Sequence, residues 1–168
     1  MAALEARRVF EAARLFESAA ITIRNADTVD WIIPWSVNAS FAVELYLKSL
    51  ILIEGGSPSN THNLQKLFEQ LPRQRKANIA KRYKQPVKDS QKKEQMRAMG
   101  FKTDLYSELE RSKDAFSLLR YYFEDKHPSG SGFQVGFLIV ILRTIILERF
   151  PEWEEYRPAN SQSTFLAL

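Results

Sequence analysis

At 168 residues and 19.5 kDa the chain is one domain, long enough to bury about 70% of its unfolded surface without a staple. It has no cysteine and two histidines, His62 and His127, which excludes disulfide frameworks, thiol catalysis, thiolate zinc sites and a His-rich metal centre. The net charge of +4 is unevenly spread: eleven basic residues against Asp89 and Glu94 make residues 72–102 strongly positive, at +9, and leave the rest at −5. A mildly acidic body carries one basic arm.

The periodicity is helical throughout, with no sustained alternation of apolar and polar residues. A first helix is predicted over Ala2–Arg24, where Ala2, Ala6, Val9, Ala13, Phe16, Ala20 and Ile23 form a stripe widened by Phe10 and Leu15. Its alanines call for a closely packed neighbour. A second helix, from about Trp35 to Glu54, is apolar nearly all round and stopped by Gly55-Gly56. Its polar line is Ser40, Glu44 and Lys48 at four-residue spacing, with Glu44 and Lys48 well oriented for an ion pair. Asn63 or Thr61 caps a short helix ending at Leu71-Pro72.

Arg73–Lys84 is compatible with a helix. From Gln85-Pro86 to Gly100 too few apolar residues remain for burial, so the arm is expected to be a loosely packed excursion. Asp104 caps a further long helix to about Asp125, and the last long helix covers about Phe133–Phe150. Its run at 135–147 is interrupted by Arg143 and too short to span a membrane, so no membrane partner is expected. The residues up to about 150 read as an all-α, up-and-down bundle of four long helices plus one or two short ones, and 151–168 as a tail. The all-round apolar second and last helices point to a homodimer. The first eight residues lack the order of a signal peptide, and a cytoplasmic location is expected.

Three sets of residues invite a functional reading. Lys81, Arg82, Lys84, Lys88, Lys92, Lys93 and Arg97 offer phosphate contacts, which nominates RNA or a nucleotide as a partner. Arg120 and His127 lie about two helical turns apart, an arrangement suited to phosphodiester chemistry: the guanidinium grips phosphate oxygens and the imidazole moves a proton. Arg143 sits in an apolar helix and needs an acceptor; Glu44 is the expected one, a buried structural pair. No nucleotide-binding glycine loop or metal-ligand motif is present, and no cofactor is expected.

Residues 38–50, with Glu44 and Lys48, followed by Glu54-Gly55 and by Thr61-His62-Asn63-Leu64 opening a short helix, resemble the HEPN domain family. The resemblance implies a dimerising helical bundle, often in toxin–antitoxin, phage-defence or RNA-processing settings, with an antitoxin or other protein as partner. Many members are metal-independent ribonucleases in which an arginine and a histidine from both subunits meet at the dimer cleft. Arg120 and His127 match that motif at its widest spacing. Arg120-Tyr121-Tyr122-Phe123-Glu124 equally resembles branches not known to cleave RNA, so a non-catalytic dimerisation or interaction scaffold is the alternative.

Overall fold

The computed structural model describes residues 2–26, 31–84, 104–114, 116 and 135–154. Among them are six α-helices, α1 (Ala2–Asn25), α2 (Ile32–Ile53), α3 (Leu64–Glu69), α4 (Arg73–Lys84), α5 (Leu105–Ser112) and α6 (Val135–Arg149). A single 3₁₀ turn, Pro151–Trp153, follows, and there is no strand among the described residues. The fold is all-α, as the periodicity predicts.

α1 and α2 pack antiparallel along their lengths: Ala6 meets Ser49, Phe10 meets Tyr46, and Phe16 meets Phe41. The buried stripe of α1 is Ala6, Phe10, Ala13, Glu17 and Ala20. Its small residues bring the backbones so close that Ser49 Oγ donates to the Ala6 carbonyl at 2.9 Å. Leu15 does not belong to the stripe and is half exposed. It lies two residues, roughly 200° of helix, from both Ala13 and Glu17. A carboxylate, Glu17, occupies the core face instead.

α2 starts three residues before the predicted boundary. Pro34 stands in the first turn, where its missing N–H leaves no bond unmade, so it admits the helix rather than delaying it. Gly55 ends α2 at φ +79°, a left-handed conformation, and a side chain at Gly56 would stand 2.9 Å from Ile51 Cγ2. Of the described helices only α2 is long and apolar enough to cross a membrane, but α1, α3 and α6 cover it and Glu44 interrupts its middle. Its only large exposed hydrophobic residue is Ile32, at the first turn. The apolar surplus of α2 is therefore largely absorbed within one chain, whereas the last helix keeps Val140 about half exposed.

α6 runs alongside α2 in the same direction, with Gly136 beneath Trp35 at one end. Asn63 caps α3 by accepting from Lys66 N at 2.9 Å, and Asp104 caps α5 by accepting from Ser107 N at 3.0 Å. Both caps follow the predicted chemistry. The Lys113 carbonyl accepts from Leu64 N at 2.9 Å, which ties the start of α3 to the end of α5. The long helix predicted from Asp104 does not run unbroken: Leu105–Ser112 is helical, a turn at Lys113 and Asp114 interrupts it, Phe116 is again helical, and the other residues of the predicted span lie outside the described residues. The core continues past the expected boundary at 150. Trp153 is buried, 5.5 Å from the Phe10 ring and stacked on Phe150 at 4.3 Å, so the first residues of the predicted tail complete the core.

Candidate nucleic-acid interface

The first half of the basic arm is a helix at Arg73–Lys84, as its sequence allows, and it is docked rather than loosely packed; the excursion expected from Gln85 to Gly100 lies outside the described residues. Ile79 and Tyr83, four residues apart, put two buried side chains on one face of α4, and Tyr83 packs edge-on against Phe137 of α6 at 5.6 Å. Two anchors suffice because acidic residues flank the helix. Arg75 donates twice to Glu54 Oε1, at 2.9 and 2.7 Å, and Lys76 reaches Glu69 at 2.7 Å. Arg82 forks onto Glu148 of α6 at 2.8 and 2.6 Å. These hydrogen bonds hold Glu148 below its ordinary carboxylate range. Of the six cations of α4, Arg73, Lys81 and Lys84 are exposed and have no ion pair among the described residues. Lys88, Lys92, Lys93 and Arg97 lie outside the described residues.

Docking α4 on α6 leaves a groove of about 400 Å³ between them. Its apolar floor is Phe137, Val140 and Ile141, with Val140 about half exposed. Asn78, Lys81, Arg82 and Thr144 form its polar edge. Arg82 serves as scaffold there, since its Nε also donates to Asn78 Oδ1 at 2.8 Å. Lys81 and Thr144 have no side-chain partner among the described residues.

The expected pair between Arg143 and Glu44 does not form. Arg143 donates to Glu17 of α1 at 2.5 Å, and Tyr46 donates its hydroxyl to the same carboxylate. Tyr46 follows Glu44 by two residues, roughly 200° round α2. The side of α2 that meets α1 and Arg143 is therefore turned away from Glu44. Burial, then the nearby Glu17 carboxylate, pushes the Tyr46 hydroxyl far above the usual phenol range, so it remains a donor.

Glu44 is fully buried and faces the loop before α3. It accepts from Lys48 Nζ at 2.8 Å and from His62 Nδ1 at 2.9 Å. The His62 ring, half exposed, lies 4.9 Å from Phe116, which stacks on Phe41 at 4.6 Å. Lys48 thus takes the helical pair predicted for it. His62 is the member that spacing along the sequence did not supply, because it reaches Glu44 across a loop. The Ser40 hydroxyl, one turn before Glu44, is buried without a partner among the described residues. Arg120 and His127, the candidate catalytic pair, lie outside the described residues.

A profile of the HEPN domain matches residues 6–124, from α1 through Glu124. The chain belongs to the HEPN family. No curated protein and no solved structure gives a significant match. The matched span holds the Glu44–Lys48–His62 constellation, all of α4 and Arg120, and stops before His127. HEPN proteins include ribonucleases and non-catalytic members, and they commonly dimerise.

Proposed function

We propose that this HEPN protein is a cytoplasmic, homodimeric RNA-binding module that grips single-stranded RNA through α4 and the basic residues that follow it. The observation that carries this reading is the division of the cations on α4. Arg75, Lys76 and Arg82 are used to dock the helix, while Arg73, Lys81 and Lys84 face outward from a rigidly held element. Lys88, Lys92, Lys93, Arg97 and Lys102 continue the same charge along the sequence. Phosphates neutralised by such side chains release counterions, which gives affinity without sequence preference.

The test is binding of a labelled single-stranded RNA across a salt series. Each phosphate contact contributes about 0.7 to the slope of log affinity against log salt for single strands. Replacing Arg73, Lys81 and Lys84 by alanine should flatten that slope by up to about 2 while the melting temperature holds, since all three are exposed. An unchanged slope would place RNA elsewhere on the molecule. Cleavage enters through Arg120 and His127, to which the family resemblance gives the catalytic roles. Incubating the same RNA in EDTA with the parent and with the Arg120→Ala/His127→Ala variant separates a metal-independent ribonuclease from a binding module.

A further inference from the structure

The groove between α4 and α6 has features that charge alone does not require. Its floor is apolar and partly uncovered: Val140 is about half exposed beside Lys81, whose ammonium has no ion pair among the described residues. Glu148, near its edge, is neutralised by the Arg82 fork and does not repel an anion. At about 400 Å³ the groove falls at the lower end of small-ligand sites, roughly 300–1,000 Å³. An aromatic ring, here Phe137, beside a cation is the combination that holds an unstacked base with its phosphate.

The hydrogen bond at Asn78 sets the polarity of the edge. Arg82 Nε is a donor, so the atom it meets at 2.8 Å is the amide oxygen of Asn78. That bond fixes the orientation of the amide, and Asn78 offers the groove its NH₂ group, which has no partner among the described residues. A base bearing a carbonyl oxygen satisfies that donor, and Thr144, one turn beyond Val140, supplies a hydroxyl that both donates and accepts.

We infer that the α4–α6 groove is a seat for one keto-bearing base of single-stranded RNA, uracil in the first instance. The base lies on Val140 and Phe137 and donates no charge; its phosphate pairs with Lys81, and its carbonyl oxygen accepts from Asn78. The inference rests on the RNA-binding reading and adds to it a base-dependent component that phosphate contacts do not provide.

The discriminating variant is Val140→Arg, which fills the seat while adding a positive charge. Charge alone predicts tighter binding of every polyanion. The seat predicts that a labelled oligo(U) RNA binds about tenfold or more weakly, the loss of one stacked base. Inorganic polyphosphate, which has no bases, should bind as tightly as before or better. Thr144→Arg, at a second exposed position on the groove, should act the same way if Val140→Arg fails to fold. Asn78→Ala should erase any preference for oligo(U) over oligo(A) relative to the parent. Parallel tightening of RNA and polyphosphate in both arginine variants would overturn the seat and leave the charge-based reading intact. A switch of Val140→Arg from dimer to monomer in sedimentation would also overturn it, showing that a second copy of the chain covers the groove. If the parent binds polyphosphate but not RNA, or binds neither, the RNA-binding reading fails as well.

Discussion

Replacing Glu17 by alanine should destabilise the protein by about 3 kcal/mol, and the contributions are separable. The Tyr46 hydroxyl belongs to a fully buried residue and loses its acceptor, a loss of about 1–3 kcal/mol. Arg143 retains 31% of its side-chain exposure and turns to water, so its share is discounted to at most about 1 kcal/mol. Loss of the buried Glu17 methylene adds roughly 0.8 kcal/mol. For a chain of this length each kcal/mol lowers the melting temperature by about 2–4 °C, so thermal unfolding should shift by roughly 6–12 °C. Glu17→Gln keeps an oxygen for Tyr46 and loses only the charge that faces Arg143, so it should cost about 1 kcal/mol. A Glu17→Ala/Tyr46→Phe double-mutant cycle should return a coupling of about 1–3 kcal/mol. A cycle near zero, or a glutamine variant as damaged as the alanine variant, would mean that the tyrosine bond does not dominate and the reasoning is wrong.

Two further outcomes follow from the polar contacts. Glu44→Ala should cost about 2 kcal/mol rather than the 3–5 kcal/mol typical of a broken buried pair, because Lys48 and His62 both reach water once released. Its effect should add independently to that of Arg143→Ala, whereas Glu17→Ala and Arg143→Ala should couple; the opposite pattern in melting experiments would restore the Glu44–Arg143 pair. Asp104→Ala should cost about 1 kcal/mol at neutral pH as a lost N-cap. The hydrogen bonds from Ser107 hold the Asp104 carboxyl below its ordinary range, so its folded-state pKa is depressed. Its stabilisation is present above the unfolded value, about 3.9, and disappears as pH falls through the depressed one. The difference in melting temperature between parent and Asp104→Ala should therefore shrink from pH 7 toward pH 3, and a constant difference would show that the cap does not depend on the charge.

Features decided within one helix turn were legible in the sequence. Asn63 and Asp104 cap because a short polar side chain just ahead of an apolar run meets the free N–H groups of the first turn. Gly55 stops α2 because a left-handed residue is needed there. Ion-pair partners across helices were not legible. Which side of α2 faces Arg143 depends on how three helices are rotated against one another, and a stripe as broad as that of α2 leaves the rotation open. The same ambiguity hid Glu17 within an apolar stripe and His62 behind a loop. On α4, composition marks every cation as a candidate contact, yet only the positions of Glu54, Glu69 and Glu148 separate the docking arginines and lysine from the outward ones. Trp153 reads as tail in the sequence because a lone tryptophan beyond a proline carries no periodic signal.

The packing of Trp153, itself stacked on Phe150, against Phe10 orders events during synthesis. α1 and α2 are neighbours in the chain, and their antiparallel pairing closes short loops early. Phe10, in the middle of that hairpin, meets Trp153 only after 142 intervening residues have been made. Until then the nascent hairpin shows an uncovered aromatic patch to the cell, the kind of surface that invites premature association. Closure of that patch thus waits on the last tryptophan, and a chain cut short before that residue leaves this side of Phe10 uncovered.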